Sequence, residues 1–478
     1  MDEQIVAMGG AALVGAIGQG DLSCAEVMAT FLDRIETLNP RVNAIVALRP
    51  RDELMAEAAE ADAECANGER LGPLHGLPHA VKDLEPVAGL PFTMGSPIFK
   101  DHIAPADGIM AARLRAAGAI FIGKTNAPEF GFGSHTYNPV YGVTRNPYDL
   151  TRTAGGSSGG AGAALACRMV PLADGGDFGG SLRNPAGWNN LFALRPSIGR
   201  VPADALDKWL PSMSVLGPMA RSIDDLALLL SVQAGYDARA PLSLGGDGTE
   251  FAPPIAAEAK GARIGWLADF GGFAPCEPEL LAVCRTALGA CERLGFEVGA
   301  TSPDYPVERA WDALLILRAW TAGARVMAHY NQPAERALLK PEAVFEAESC
   351  LKLSAYDVTR ASVIRSQWTS AVTALFERFD YLAAPTAALF PFPAEWDWPH
   401  AIAGRPMATY HEWMKLAFLI TLTGLPVLAA PAGFSRAGLP IGLQIVGPNR
   451  SERALLGLGQ AYDETTGWVQ RRPPPLSN

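Results

Sequence analysis

The stretch from Thr153 to Pro185, TAGGSSGGAGAALACRMVPLADGGDFGGSLRNP, constrains this chain more than any other. It holds two glycine-serine knots, Gly155-Gly156-Ser157-Ser158-Gly159-Gly160 and Asp177-Phe178-Gly179-Gly180-Ser181. Between them lies an Ala/Leu/Val run, 161–173, whose one charge is Arg168. Glycine is entropically costly in an ordered chain. Such density makes sense where the backbone takes unusual angles or comes very close to a ligand. A Gly/Ser linker would share the composition, but a linker does not enclose an apolar run of helical length.

The first knot fits more than one chemistry. A phosphate-binding loop needs Lys and then Ser or Thr after its last glycine. Here Gly160 is followed by Ala161 and Gly162, which excludes it. Gly155-Gly156-Ser157-Ser158-Gly159 satisfies the G-x-S-x-G pattern of a nucleophile elbow. An elbow follows a buried apolar strand, whereas the preceding NPYDLTRTA is polar and turn-like. It also needs a later acid and histidine. Asp380, Asp397, His400 and His411 are available, so the elbow stays open. An S-x-x-K pattern at Ser349–Lys352 lacks its S-D-N and K-T-G partners and reads as chance.

The second knot offers successive backbone N–H groups beside a hydroxyl, as an oxyanion hole next to a nucleophilic serine requires. An ordinary glycine-rich turn before a helix would look the same. A serine nucleophile needs a base. Upstream, Gly76-Leu77-Pro78-His79-Ala80-Val81-Lys82-Asp83 ends a short apolar run, consistent with a buried strand, in Lys82. Burial disfavours the ammonium form and turns a lysine into a general base. A surface lysine laid along its own alkyl stem is the plain alternative, and His79 is the rival base.

Together these features resemble the amidase signature family. Lys82, the Gly155–Gly160 knot and Asp177-Phe178-Gly179-Gly180-Ser181-Leu182-Arg183 carry the resemblance. Ser157 follows Lys82 by 75 residues and Ser181 follows Ser157 by 24, as in the family. Similarity runs from about Leu71 to Arg200 and returns at Gly424–Pro448. The resemblance implies Ser181 as nucleophile, Ser157 as a bridging serine after a cis peptide bond, and Lys82 as base. It implies an oxyanion hole from the N–H groups of Phe178, Gly179, Gly180 and Ser181. Asp177, Arg183 and Ser158 would support the loop from behind. Gly131, Phe132 and Gly133 match a segment lining the acyl pocket, with Met94 at its edge in place of a commoner small residue. The implied substrate is a small-molecule amide, with an ester or carbamate also open to the same relay, and no metal or cofactor takes part. The amidase subunit of a tRNA-dependent amidotransferase shares this relay, but the tyrosine-rich serine segment expected in such subunits is absent. A catalytically inactive binding protein is the third reading.

The 478 residues would allow about three domains by length, but the resemblance implies one, 1–478. Within it we expect amino-terminal helices over 1–68 and a catalytic core over 69–234 and 421–450. A variable region, 235–420, would set specificity. The fold class is α/β, with a central mixed, largely parallel twisted sheet surrounded by helices. Hydrophobic residues make up 49% of the chain, enough for a large core, and the net charge of −11 argues against nucleic-acid and anionic-membrane partners. The seven cysteines show no C-x-x-C or zinc spacing, which suits reduced thiols in a cytoplasmic protein. The acidic start MDEQ does not read as an export signal.

Along the chain, Ser23-Cys24-Ala25-Glu26 is a capping box that opens a helix, and Asp52–Asn67 is a second helix. These helices shield the core or form an interface, which leaves a homodimer open. Ala112–Ala117 and Ala119–Gly123 predict a helix and strand of a βαβ unit. Val307–His329 reads as one amphipathic helix, Phe390–Pro399 as an ordered loop or lid, and the final RRPPPLSN as a frayed tail.

Overall fold

Two apolar runs near the carboxyl terminus, Val427–Phe434 and Pro440–Val446, are separated by a turn that needs a left-handed residue. Gly438 supplies it at φ 83°, and the runs pair as an antiparallel hairpin. Every residue of both strands is buried except Phe434, which is half-buried. This hairpin lies at the centre of an eight-stranded sheet. In spatial order the strands are Glu297–Ala300, Arg263–Trp266, Tyr381–Pro385, Pro440–Val446, Val427–Phe434, Phe192–Arg195, Val215–Ala220 and Ala173–Asp177. Helices Arg183–Trp188, Ile223–Gln233, Pro278–Arg293 and Glu452–Thr466 pack against it. The computed structural model describes residues 3–204, 207–209, 213–258 and 261–477.

The expected mixed sheet wrapped by helices is present, but the balance within it differs. Only the pairings of Arg263–Trp266 with Glu297–Ala300 and with Tyr381–Pro385 are parallel. The other five are antiparallel. The βαβ alternation that suggested parallel strands belongs to a separate three-stranded sheet. There Pro78–Lys82 runs parallel to Ile120–Thr125, connected through helix Ile109–Ala116, and Ile45–Val46 pairs antiparallel on the other side. Pro78–Lys82 packs against Ala173–Asp177, the edge strand of the large sheet.

The amino-terminal helix Cys24–Val42 starts at the predicted capping box, with Glu26 N–H donating to Ser23 Oγ and the Ser23 N–H to Glu26. Val27, Phe31 and Ile35 project from one face into the main core, and each buried side chain of this kind contributes roughly 1.5–3 kcal/mol. A second, smaller core gathers Phe130, Phe132, Val326, Leu339 and Ala343, with Met94 packed on it. Among the described residues no helix is long and apolar enough to cross a membrane.

Two local expectations are corrected. Val307–His329 is not one α-helix: Val307–Arg318 passes into a π turn over Ala319–Gly323 before α-helix resumes at Ala324–Tyr330. The tail, of which Asn478 lies outside the described residues, is anchored at its start rather than frayed. Trp468–Arg471 is helical, and the carbonyl of Arg472 accepts from Tyr148 Oη at 2.7 Å and Asn190 Nδ2 at 3.2 Å.

Candidate active site

Lys82 ends its strand 2% exposed. Its Nζ donates to Ser157 Oγ and Ser158 Oγ, each at 2.8 Å, and reaches the Gly176 carbonyl at 3.4 Å. Removal from water lowers its pKa to about 8, against the pull of the Asp174, Glu85 and Asp177 carboxylates. Asp174, which sequence reasoning passed over, is a buried bracket: Oδ2 accepts from Lys82 N–H at 3.2 Å and Oδ1 lies 3.0 Å from His79 Nε2. The rival base His79 is thereby tied to Asp174, with its ring against Phe121. The surface-lysine reading of Lys82 fails on burial.

The first knot bends tightly around this ammonium. Gly155 sits at φ 82°, and the Gly156–Ser157 peptide is cis, as the resemblance implied. A Cβ on Gly156 would lie 2.7 Å from the His135 backbone nitrogen, so only glycine fits. Gly159–Ala166 then forms a helix buried along its whole length, which explains the uncharged run. The knots are joined directly, Ser158 N–H donating to the Ser181 carbonyl at 3.2 Å. The elbow reading loses its histidine: His400 pairs with Asp397 at the surface and His411 with Glu346. Among the described residues neither reaches Ser157 or Ser158.

The second knot turns around the Asp177 carboxylate. Oδ1 accepts from Gly180 N–H at 2.9 Å, and Arg183 donates from Nε and Nη2, both at 2.9 Å. Arg195 Nη1 adds the Asp177 carbonyl and a 3.4 Å approach to Oδ1. Burial works to raise this carboxyl, but the two guanidinium groups more than reverse it and hold it well below the usual carboxylate range. Arg183 also donates to Gln444 at 2.7 Å and Thr421 at 2.6 Å, so the loop is pinned to the central hairpin and to helix Lys415–Thr421. One expected donor is thus already engaged: Gly180 N–H serves Asp177. The N–H groups of Phe178, Gly179 and Ser181 have no protein partner among the described residues. Ser181 is 6% exposed and its Oγ is neither hydrogen-bonded there nor sealed in. No hydrogen bond joins Ser181 Oγ to Ser157 Oγ in this arrangement.

Gly131 borders the same space, since a Cβ there would lie 3.7 Å from Ser157 Oγ. Phe132 is buried beside it, and Gly133, at φ 84°, faces open space. Met94 stands behind this segment: its carbonyl accepts from Phe130 N–H at 2.8 Å. Phe390–Pro399 is an anchored loop, with Thr153 N–H donating to the Phe392 carbonyl at 2.9 Å and Phe392 edge-on to Trp188. Sequence reasoning missed a buried polar group facing this region. Arg318 Nε donates to Glu346 Oε1 at 2.6 Å, which also takes the Tyr410 hydroxyl and lies 2.8 Å from His411 Nε2. The Arg318 guanidinium carbon sits 5.0 Å from the Phe178 ring centre and 5.8 Å from that of Phe132.

Known proteins resemble this chain along nearly its whole length. The Amidase family model matches residues 26–456. An acylamidase from Rhodococcus erythropolis is 33% identical over 464 residues, covering 96% of each chain. The A subunit of the glutamyl-tRNA(Gln) amidotransferase of Chloroflexus aurantiacus is 34% identical over 478 aligned positions, again covering 96% of each. A bacterial aryl acylamidase of the amidase signature family superposes with a TM-score of 0.91 at 29% identity, covering 98% of this chain and 99% of that one. A buried lysine on paired serines, a glycine-rich second knot and a match along nearly the whole chain lead to one conclusion: this protein belongs to the amidase family and is an amide-cleaving hydrolase.

Proposed function

We propose that the chain hydrolyses the carboxylic amide of a small apolar or aromatic substrate through a relay of Lys82, Ser157 and Ser181. The observation that carries this reading is the 2.8 Å contact between a buried lysine and Ser157 Oγ. Neutral Lys82 takes the Ser157 proton as Ser157 takes that of Ser181, and Ser181 Oγ attacks the carbonyl carbon. Ser157 swings toward Ser181 for this step. The tetrahedral oxyanion is held by N–H groups of Phe178, Gly179 and Ser181, with Gly180 removed from the expected set because Asp177 holds it. The relay returns a proton to the departing amine, and water then cleaves the Ser181 ester. Esters and carbamates would pass through the same steps.

The aromatic lining by Phe132 and Phe178 supports an apolar or aryl substrate, as do relatives named acylamidase and aryl acylamidase. Arg318, Glu346 and Tyr410 lie in 235–420, which supports that segment as the seat of specificity. The unpaired cysteines support a reducing, cytoplasmic setting.

A serine-directed fluorophosphonate should label Ser181, and Ser181→Ala should abolish both label and turnover. Label at Ser158 with activity surviving in Ser181→Ala would return the elbow reading. Faster turnover of acetamide than of every aryl or longer-chain amide would defeat the substrate class. The similarity to an amidotransferase component favours a second reading, glutamine hydrolysis within a tRNA-dependent complex. Glutaminase activity that needs partner subunits, without turnover of simple amides, would select it.

A further inference from the structure

Arg318 lies in the last turn of helix Val307–Arg318, where the backbone passes into the π turn. Its side chain is 6% exposed. The guanidinium is used unevenly. Nε donates to Glu346 at 2.6 Å and lies 3.0 Å from His411 Nε2, and Nη2 donates to the Tyr410 hydroxyl at 3.0 Å. Nη1 has no hydrogen-bond partner among the described residues, yet it is not sealed in. The same guanidinium carbon is ringed by Phe178 at 5.0 Å, Phe418 at 5.3 Å, and Phe132 and Tyr410 each at 5.8 Å. Phe178 opens the loop expected to hold the oxyanion, and Phe132 follows the glycine that borders Ser157 Oγ.

With the rest of the side chain buried, Nη1 keeps donor hydrogens that an incoming acceptor can take in place of water. The partner's chemistry follows from the charge balance. Glu346 already neutralises Arg318. His411 is driven toward its neutral form by burial, against the pull of Glu346. Within the cluster of Arg318, Glu346, Tyr410 and His411 the charges therefore cancel, leaving donor hydrogens and aromatic faces, while the nearby Arg325 guanidinium is opposed by Glu85. A second carboxylate would compete with Glu346 for one cation. A neutral oxygen on an otherwise apolar group, such as an ether, ketone or sulfone, would not.

We propose that Arg318 Nη1 is a specificity-determining hydrogen-bond donor to a neutral acceptor oxygen on the substrate, received beside the rings of Phe132, Phe178, Phe418 and Tyr410. This assignment rests on the reading of Ser181 as nucleophile.

Two matched pairs of amides test it. One pair is para-methoxymethyl and para-propyl benzamide, with the substituent on the acyl half. The other is the acetanilides carrying the same substituents on the amine half. The substituents differ by an ether oxygen in place of a methylene and are insulated from the ring. In at least one pair, the kcat/KM ratio of ether over propyl should be about tenfold higher in wild type than in Arg318→Lys or Arg318→Met. The lysine variant keeps the charge opposite Glu346 and so guards against a misfolded result. If neither variant folds, the wild-type ratios decide: preference for the ether in either pair supports the assignment, and preference for propyl in both overturns it. Ratios that agree within about twofold between wild type and variants in both pairs also overturn it, provided that fluorophosphonate still labels Ser181. Absence of label at Ser181 in wild type would remove the underlying nucleophile reading instead.

Discussion

The acid limb of the pH–rate profile is where Lys82 would declare its role. With a pKa of about 8, ~10% of the side chain is neutral at pH 7, against ~0.03% for a lysine left at 10.5. Burial thus enlarges the neutral fraction of Lys82 ~300-fold. The value of kcat/KM should climb with pH and level off above about 8. The perturbation is Asp174→Asn, which removes the carboxylate that most favours the ammonium. The midpoint should then move to lower pH, and the fraction of plateau rate reached at neutral pH should rise even if the plateau itself falls. Initial rates of one aryl amide across the limb measure this directly. A midpoint that stays in place or moves upward would refute the reasoning, as would substantial activity in Lys82→Arg, whose guanidinium cannot act as base. The same shift has a sign for stability. A lysine whose folded pKa is depressed destabilises the fold fully below about 8, and that penalty fades as pH rises to the unfolded value of 10.5. The penalty at pH 7 is ~3 kcal/mol. Lys82→Met should therefore be inactive yet raise Tm at pH 7, by what remains after losing two hydrogen bonds of ~1 kcal/mol each. The gain should vanish in strong alkali.

Asp177→Asn leaves Arg183 and Arg195 without their carboxylate and should cost ~3–5 kcal/mol in denaturant unfolding; a change within error would contradict the bracket described for the second knot. In wild type the depressed carboxyl contributes stability that is complete above an unfolded pKa of ~3.9 and is lost only as pH falls below the usual carboxylate range. Fluorophosphonate labelling should accordingly survive brief incubation in mild acid, whereas the variant should label weakly whether or not it meets acid. Gly179→Ala should lower kcat by ~10²–10³ because its Cβ would run into the Phe418 ring and displace an oxyanion donor. Adding Phe418→Ala should recover part of that loss, and no recovery would mean that the glycine matters for a reason other than space.

What could be read from the chain follows the range over which each feature is encoded. The two knots are local: glycine beside serine shows where the backbone must turn sharply, and Lys82 closes an apolar strand within a few residues of the signal. Strand direction is not local. The hairpin of Val427–Phe434 and Pro440–Val446 joins strands adjacent in the chain, but its neighbours Phe192–Arg195 and Tyr381–Pro385 come from far along the chain. Their antiparallel pairing left no trace in composition. Arg318 was hidden for the same reason. It sits in an amphipathic helix, is neutralised by Glu346, 28 residues later, and is hydrogen-bonded to Tyr410, 92 residues later. Asp174 has its histidine 95 residues upstream. The engaged Gly180 N–H was within reach, because an aspartate three residues before a glycine is a turn signal in its own right.

Lys82 ends a strand of the small sheet, whereas Ser181 follows the edge strand of the large one. The proposed base and the proposed nucleophile are therefore carried by two bodies, and their alignment reports how well those bodies are docked. A slip of an ångström along the seam between Pro78–Lys82 and Ala173–Asp177 would part the lysine from its serines while leaving both cores dry. Sub-global openings of this kind lie well below the free energy of complete unfolding. Inactivation by mild denaturant should then precede loss of helical signal, and whatever clamps that seam would govern the working lifetime of the catalyst more than the depth of its core.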